Sequence, residues 1–302
     1  MIEKIKIQNY KSIRELDLDL KPLNILIGSN GAGKSNFISF FKMVNQMYEG
    51  RLNEFATKYG VENLLYFGRK ESDSIYGLLD FDNRNAYRFQ LLPTLRDELT
   101  FLFEHGLFNW SNNNNNHYSN WYSTTFDTGH KESKLRNSQE NVALYVQREL
   151  KSFKIYHFHD TSENSKMKQS SRIDDNHFLR EDGSNLAAFL YLLQEKHPKI
   201  LRRIERTISS IAPFFKRFDL KLNQLNPDRI KLEWQEKGSD MYLDAHNLSD
   251  GTLRFIALTT LLLQPELPST IIIDEPELGL HPAAIARLAA LIRKASVKSQ
   301  VI

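Results

Sequence analysis

A glycine-rich segment that ends in a lysine and a serine is the first part of this chain whose side chains could do chemistry. Residues 28–35 read GSNGAGKS and match the pattern G-x-x-x-x-G-K-[ST]. Glycines let such a loop turn tightly enough to point several backbone N–H groups at phosphate. We expect Lys34 to reach the β- and γ-phosphates of a nucleotide and Ser35 to ligate Mg²⁺. The residues predicted to contact the nucleotide in this segment are Asn30, Gly31, Gly33, Lys34, Ser35 and Asn36.

Two acids follow an apolar run near the other end of the chain. Ile271–Ile273 has the pattern of a buried strand and leads directly into Asp274 and Glu275. At a strand end the first acid can hold the water shell of Mg²⁺, and the second can polarise an attacking water. We predict Asp274 as a metal residue and Glu275 as the general base, with Lys34 as the other catalytic residue. Taken alone, the segment could also be a solvated acidic turn.

A third motif, LSDGTLRF, occupies residues 248–255. Ser249 offers a hydroxyl, Gly251 allows close backbone approach, and the helix that follows can present its N-terminus to phosphate. A chain with one phosphate loop does not need a second for the same nucleotide, so the motif suggests a nucleotide shared by two subunits. The alternative is an ordinary helix capped by Ser249 or Asp250.

His281 has two open interpretations. It could contact the nucleotide of the opposite subunit, or it could cap a helix that begins at Pro282, because proline is favoured at the first helical position. His157 and His159 alternate on a predicted strand, and we expect them to be sheet histidines rather than metal ligands.

In this order the three motifs resemble those of the ABC-like ATPases related to SMC, RecF and overcoming-lysogenization-defect (OLD) proteins. The chain is similar to bacterial AAA-family ATPases of this type, including FLREDGSNL at 178–186 and DEPELGLHP at 274–282. The resemblance implies ATP and Mg²⁺ as cofactors, ATP hydrolysis, and a homodimer or higher homo-oligomer in which two heads enclose ATP. It also implies an effector partner such as a nuclease, nucleic acid as a target, and a role in DNA repair or anti-phage defence.

The chain also departs from these relatives. It contains no coiled-coil pattern, and the family continues beyond Ile302 into a strand and a switch residue, so we expect impaired hydrolysis from these residues alone. The resemblance places Lys11 and Ser12 near the adenine, whereas a solvated hairpin explains them equally well. The alternative function is a DNA-binding structural module in which ATP stabilises assembly without significant turnover. Its surface would use basic residues that could equally be solvated loop charges, namely Lys151, Lys154, Lys166, Lys168, Arg172 and Arg180.

The elements around these motifs predict an α/β fold. We expect a P-loop NTPase head of the ABC type, with a mixed β-sheet, an antiparallel β subdomain and a helical insertion. Apolar spacing predicts a hairpin over residues 5–20, a buried strand over 23–27 and a helix over 36–48. The predicted domains are an N-terminal lobe (1–108), an Asn-rich loop insertion (109–141), an insertion subdomain (142–245) and a signature lobe (246–302).

Bulk composition limits the possible settings. The 302 residues carry a formal net charge of +3, which permits nucleic-acid binding without indicating it. The chain has no cysteine and no apolar run long enough to span a membrane. We therefore expect a cytoplasmic protein with no membrane partner.

Overall fold

The N-terminal alternation of apolar residues produces the predicted hairpin. The computed structural model describes residues 1–110, 118, 121–222 and 225–302. β1 (Ile2–Tyr10) pairs antiparallel with β2 (Ile13–Asp19), and both belong to a six-stranded antiparallel sheet with the order β2-β1-β3-β4-β5-β6. The other four strands are β3 (Ile75–Phe81), β4 (Asn85–Pro93), β5 (Leu99–Phe108) and β6 (Tyr122–Thr125).

The chain divides into two units. The first comprises residues 1–155, 268–272 and 302, and the second comprises 156–267 and 273–301. In the first unit the apolar side of α1 (Lys34–Tyr48) is buried, and Phe40 stacks on Phe89 of β4 with the ring centroids 6.1 Å apart. The other helices of this unit are α2 (Leu52–Tyr59), α3 (Val61–Leu64) and α4 (Asn141–Ser152).

The second unit contains four helices within the described residues: α5 (Leu186–Lys196), α6 (Pro198–Ser209), α7 (Asp250–Leu263) and α8 (Pro282–Ala295). A small antiparallel sheet has the order β12-β11-β9, with β9 (Phe215–Phe218), β11 (Glu233–Glu236) and β12 (Tyr242–Asp244). The pairing of β11 with β12 through a turn at 237–240 is the hairpin that their alternating pattern predicts. A second pair joins β8 (Ser171–Arg172) to β10 (Arg229–Ile230).

A third sheet has the order β14-β13-β7 and holds the strand that precedes the two acids. Its strands are β7 (Phe153–Tyr156), β13 (Thr270–Ile273) and β14 (Gln300–Val301). Every residue of β13 is buried, as its apolar run predicts. Within the described residues, no helix combines the length and apolar character needed to cross a bilayer.

The predicted strand over 23–27 is wrong. Residues 24–27 belong to none of the strands that the structure describes, and Ile25 and Ile27 are 72% and 91% exposed. An apolar run becomes a strand only when a neighbouring strand satisfies its backbone groups. Composition alone therefore did not determine the conformation of this run.

The segment predicted as an Asn-rich loop is partly structured. Its asparagine run lies outside the described residues, but β6 adds a strand to the large sheet and Leu135 is buried. The buried Glu104 of β5 explains this order, since its carboxylate accepts hydrogen bonds from the Ser133 hydroxyl and the Lys134 backbone N–H. A buried carboxylate needs such donors, so it fixes the chain that supplies them.

Candidate nucleotide site

The glycine-rich segment forms an exposed turn that leads into a helix. Gly31 and Gly33 have φ angles of +84° and +94°, which residues with a Cβ rarely adopt. Helix α1 begins at the next residue, Lys34. Lys34 Nζ donates hydrogen bonds to the carbonyl oxygens of Gly28, at 2.6 Å, and Ser29, at 3.0 Å. The loop and the start of the helix therefore bring Asn30 to Asn36 together, and their contacts with a nucleotide stay a prediction.

The turn of the N-terminal hairpin packs beside this loop. Asn36 Nδ2 donates a hydrogen bond to Ser12 Oγ at 2.7 Å, and a Cβ on Gly33 would lie 3.3 Å from the same oxygen. Lys11 Nζ donates to Ser39 Oγ at 2.8 Å and lies 4.8 Å from the centroid of the Tyr59 ring. These contacts fix the hairpin turn against the first turns of α1.

A groove of about 860 Å³ lies next to this contact within the first unit. Phe67 stands 74% exposed and has a φ of +51°, and its ring meets that of Tyr66 edge to face at 4.6 Å. Burial, together with the nearby Lys42, lowers the pKa of Lys11 at the edge of the groove. The residues around it include Lys11, Ser12, Asn36, Tyr59, Tyr66 and Phe67. Aromatic faces beside a lysine suit a planar base.

Sequence reasoning missed the aromatic residues of this groove. Tyr66 and Phe67 precede a glycine in an otherwise ordinary segment, and no motif marks them. Only the structure marks the segment, through the exposed ring of Phe67, since large apolar side chains are usually covered.

The two predicted catalytic acids follow β13 in the second unit. The backbone N–H of Asp274 donates to the carbonyl oxygen of Tyr156 at 3.2 Å. Glu275 has a φ of +42°, in the left-handed region, and its side chain is half-exposed. A non-glycine residue there is strained, and such strain clusters at functional sites. The backbone thus turns sharply at the residue predicted to be the base.

His159 lies beside both acids, which the sequence did not predict. Its Nε2 atom is 3.9 Å from an Asp274 carboxylate oxygen and its Nδ1 atom is 3.8 Å from a Glu275 oxygen. The signal was its position three residues after β7, a strand that neighbours β13 in the same sheet. Neither His157 nor His159 lies on a strand, because β7 ends at Tyr156, so the expectation of sheet histidines is wrong for both residues.

The donor set around Asp274 fits Mg²⁺ better than a transition metal. Within the described residues, no three histidine, cysteine or acidic side chains are arranged so that they could hold a metal ion by themselves. Mg²⁺ typically takes one or two carboxylates and completes its shell with water and substrate phosphates, so it does not need a cage of protein ligands. Asp274 and Ser35 remain the residues predicted to hold it.

The LSDGTLRF motif caps α7. Ser249 is the N-cap residue, and its Oγ atom accepts the backbone N–H of Thr252 at 3.3 Å. A Cβ on Gly251 would lie only 2.5 Å from the carbonyl oxygen of Gly279, so the loop after the acids requires glycine here. The capped-helix interpretation describes these contacts. Ser249 is exposed, which leaves the prediction of a nucleotide contact open.

Arg254 fastens α7 to two other segments of the second unit. The side chain is 6% exposed, and its guanidinium donates to the carbonyl oxygens of Phe158 at 2.9 Å, His159 at 3.0 Å and Leu278. Arginine suits this position because its planar fork presents several donors in fixed directions. One side chain thereby positions the segment that carries His159 and the loop that follows Glu275.

His281 caps the last helix. Its Nδ1 atom accepts the backbone N–H of Ala283 at 3.2 Å, at the start of α8. This is the capping role that Pro282 suggested, and a contact with a nucleotide stays a prediction. The first unit therefore holds the predicted loop residues, and the second holds Ser249, Gly251, Asp274, Glu275 and His281.

Heads of SMC proteins are among the solved structures that share this fold. One is described as the SmcHead bound to the C-winged helix domain of ScpA. It is 16% identical with a TM-score of 0.62, and the alignment covers 100% of this chain and 88% of that chain. Another is the Smc head domain with an extended coiled coil bound to the C-terminal domain of ScpA from Pyrococcus furiosus. It is 15% identical with a TM-score of 0.55, covering 100% and 88%. These similarities confirm the predicted α/β head of the ABC type.

No curated protein matches the chain. A family model, described as "AAA domain, putative AbiEii toxin, Type IV TA system", matches residues 23–302. That range includes the phosphate loop, the signature helix and the two acids, and it confirms the predicted relation to ABC-like AAA ATPases. The chain therefore belongs to the AAA_21 family of AAA-domain proteins.

Proposed function

We propose that this protein binds and hydrolyses ATP between two copies of itself and uses the resulting opening and closing to control an effector. The observation that carries the proposal is the phosphate loop, where two left-handed glycines lead directly into α1 at Lys34. Its backbone N–H groups and the helix N-terminus suit a triphosphate. Membership of an AAA family supports nucleotide use with Mg²⁺.

The second unit supplies the groups for hydrolysis in this proposal. Glu275 would accept a proton from the attacking water, and Asp274 would help to hold Mg²⁺, which supplies positive charge to the phosphates when bound. The His159 ring, within 4 Å of both carboxylates, orients them and touches neither phosphate nor water in this scheme. Ser35 contributes the hydroxyl ligand that the phosphate-loop pattern predicts.

The exposed start of α7 supports a nucleotide shared between subunits. Ser249 and Asp250 are both exposed, so the helix N-terminus is accessible to a phosphate that another copy carries. An ATP-bound dimer would then form when the phosphate loop of each subunit meets the LSDGTLRF motif of the other subunit. Hydrolysis of ATP would separate the two subunits. His281, at the start of α8, would contact the shared nucleotide in the same pair.

The effector in this proposal is a separate protein that acts on nucleic acid, such as a nuclease in DNA repair or anti-phage defence. Solved SMC heads bind domains of ScpA, which supports a head of this fold holding a partner protein. The alternative function, a DNA-binding structural module, predicts ATP binding without turnover. Phosphate release measured with and without DNA distinguishes the two functions, because only the ATPase that controls an effector is expected to turn over ATP.

The closing experiment uses Glu275→Gln, which keeps the size of the side chain and removes the base. With saturating ATP and Mg²⁺ we expect this variant to run as a dimer in size-exclusion chromatography with light scattering. The control, Lys34→Ala combined with Glu275→Gln, should stay monomeric because it lacks the phosphate contact. A Glu275→Gln protein that binds ATP and stays monomeric at high concentration contradicts the shared nucleotide.

A further inference from the structure

A row of basic side chains lies on the exposed face of α6. Its members follow one another at intervals that place them on one side of the helix, and all are exposed. We call this row the α6 basic stripe, and it consists of Lys199, Arg202, Arg203 and Arg206. At a rise of about 1.5 Å per residue, the stripe runs about 10 Å along the helix.

Carboxylates do not neutralise the stripe. No ion pair within the described part of the second unit involves any of its four side chains. Glu205 is an acid on the same helix, and its Oε1 atom accepts the backbone N–H of Phe218 at 2.9 Å. Burial raises the pKa of Glu205 despite the smaller opposite effects of that hydrogen bond, Arg217 and Arg202, so it offsets the charge of Arg202 only in part. The stripe therefore presents positive charge to solvent.

The basic residues that the sequence suggested as a nucleic-acid surface are in a different situation. Lys168 is buried, with Nζ 3.8 Å from an Asp250 carboxylate oxygen. Three others have carboxylates within 3.1, 2.6 and 2.7 Å, namely Asp182 for Lys166, Asp175 for Arg180 and Asp174 for Arg172. Local acids partly compensate these charges. The burial of Lys168 removes it from an accessible surface, and a nucleic-acid surface built from Lys166, Arg172 and Arg180 stays a prediction.

We propose that the α6 basic stripe binds the phosphate backbone of double-stranded DNA. The stripe residues line a groove of about 480 Å³. Three of them are arginines, whose planar fork makes paired hydrogen bonds to phosphate. The stripe spans about 10 Å, which corresponds to roughly three base pairs at about 3.4 Å each.

The chemistry of the groove argues against an acidic protein as the occupant. Among the residues that the structure describes, only charged side chains line it, whereas protein interfaces centre on buried aromatic or apolar anchors. Phosphate contacts on DNA need no such anchor, since the release of counterions supplies the free energy.

The opposite side of α6 argues against a membrane. Leu201, Ile204 and Ile208 are buried within the second unit. An amphipathic helix that binds a bilayer inserts its apolar face among the lipids, and here that face is already covered. The stripe can offer a membrane only its charge.

This inference rests on the proposed function for its biological role, because an ATPase that controls a nucleic-acid-directed effector would need to be held on DNA. The stripe itself is independent of the ATP site. Binding of a short fluorescein-labelled duplex, followed by anisotropy between about 50 and about 200 mM salt, tests it directly. The steepness measured here is the slope of the logarithm of the binding constant against the logarithm of the salt concentration. If the stripe makes four phosphate contacts, they contribute about 3.6 to the size of this slope.

The test variant is Arg202→Gln with Arg206→Gln, which keeps helix-compatible side chains at exposed positions. We expect duplex binding to weaken about ten-fold and the steepness to fall by about 1.8, since each phosphate contact contributes about 0.9. The matched control, Arg172→Gln with Arg180→Gln, removes the same charge from paired positions and should leave the steepness unchanged.

The inference is wrong if both double variants weaken duplex binding equally. It is also wrong if the stripe binds phosphatidylserine vesicles or polyglutamate in preference to the duplex. Stronger binding to a single strand than to the duplex would contradict it as well. The two proposals also fail separately. If Glu275→Gln stays monomeric with ATP while duplex binding depends on the stripe, only the shared-nucleotide proposal is lost.

Discussion

Arg254 Nη2 donates a hydrogen bond of 3.0 Å to the carbonyl oxygen of His159, the histidine that lies beside both predicted catalytic acids. The same guanidinium also donates a hydrogen bond to the carbonyl oxygen of Leu278, so that α7 contacts the loop after Glu275. The motif that sequence reasoning assigned to a nucleotide therefore positions the segments that carry His159 and follow Glu275 in its own chain.

Replacing Arg254 with alanine should destabilise the protein by about 3 kcal/mol or more, because buried carbonyl oxygens lose a charged donor. Urea unfolding followed by circular dichroism measures this. Arg293→Ala, at an exposed position on α8, is the control and should stay within about 0.5 kcal/mol of the wild type. Equal midpoints for the two variants would show that the Arg254 contacts contribute nothing.

Removing the His159 ring should slow ATP turnover by about ten- to a hundred-fold, since the ring positions a general base that itself contributes about a hundred-fold or more. We expect kcat to fall while the KM for ATP stays within about two-fold, a division that a general loss of structure does not give. His246→Ala, which removes an exposed histidine paired with Glu163, serves as the control. A His159→Ala enzyme with wild-type kcat excludes the positioning role.

Gly251→Ala should cost about 1–3 kcal/mol through overpacking, because the added Cβ would stand 2.5 Å from the Gly279 carbonyl oxygen. Chemical unfolding measures the loss. At Gly106 an added Cβ first meets a side chain at 3.4 Å, so Gly106→Ala makes a fair comparison with a smaller expected cost. If the two alanines cost the same, the close approach to Gly279 is not what requires glycine at 251.

The groove beside the phosphate loop should recognise the base of the nucleotide. Loss of the exposed ring in Phe67→Ala should raise the Kd for ATP about ten-fold, since stacking of a base on an aromatic ring contributes about 1–3 kcal/mol. Binding of tripolyphosphate should not change, because it has no base. Isothermal titration of both ligands gives the comparison, and Tyr122→Ala, at another exposed aromatic, should alter neither. A parallel loss for both ligands points to a damaged phosphate loop instead.

Asp80 should make the first unit more stable as the pH falls from 7 to 5. Burial raises its pKa to about 6, with smaller contributions from Glu3 and Asp82, whereas an unfolded aspartate titrates near 3.9. The folded protein therefore binds more protons in this interval, and protonation of Asp80 adds roughly 1 kcal/mol at pH 5 relative to pH 7. The Tyr118 hydroxyl, 2.8 Å from Asp80 Oδ2, stays in place either way.

The comparison that isolates this effect is Asp80→Asn, whose amide does not titrate. Urea unfolding at both pH values should show less gain on acidification for the variant than for the wild type. Identical pH dependence in the two proteins would mean that Asp80 keeps an ordinary pKa.

Sequence periodicity was sufficient to predict secondary structure where the contacts of an element are local. The hairpin of β1 and β2, helix α1 and the β11–β12 hairpin follow from apolar spacing and turn residues, because neighbours in the chain satisfy their backbone bonds. The same reasoning failed for residues 24–27, where the strand depended on a partner elsewhere.

The candidate site was predictable in its motifs but not in its contacts. The glycines, Lys34 and the two acids carry a pattern that single residues do not. His159 reaches the acids through the packing of neighbouring strands, and Gly251 is needed for a loop whose path the sequence does not show. Both depend on residues far apart in the chain, which spacing alone cannot bring together.

The left-handed backbone of Glu275 sets a direction for any selection on this protein. Glycine would relax that φ of +42°, so Glu275→Gly should tolerate heat better while losing its proton acceptor. A library screened only for thermal survival would therefore become enriched in variants that lack the predicted proton acceptor. Selection for heat tolerance and selection for ATP turnover would then favour different residues at position 275.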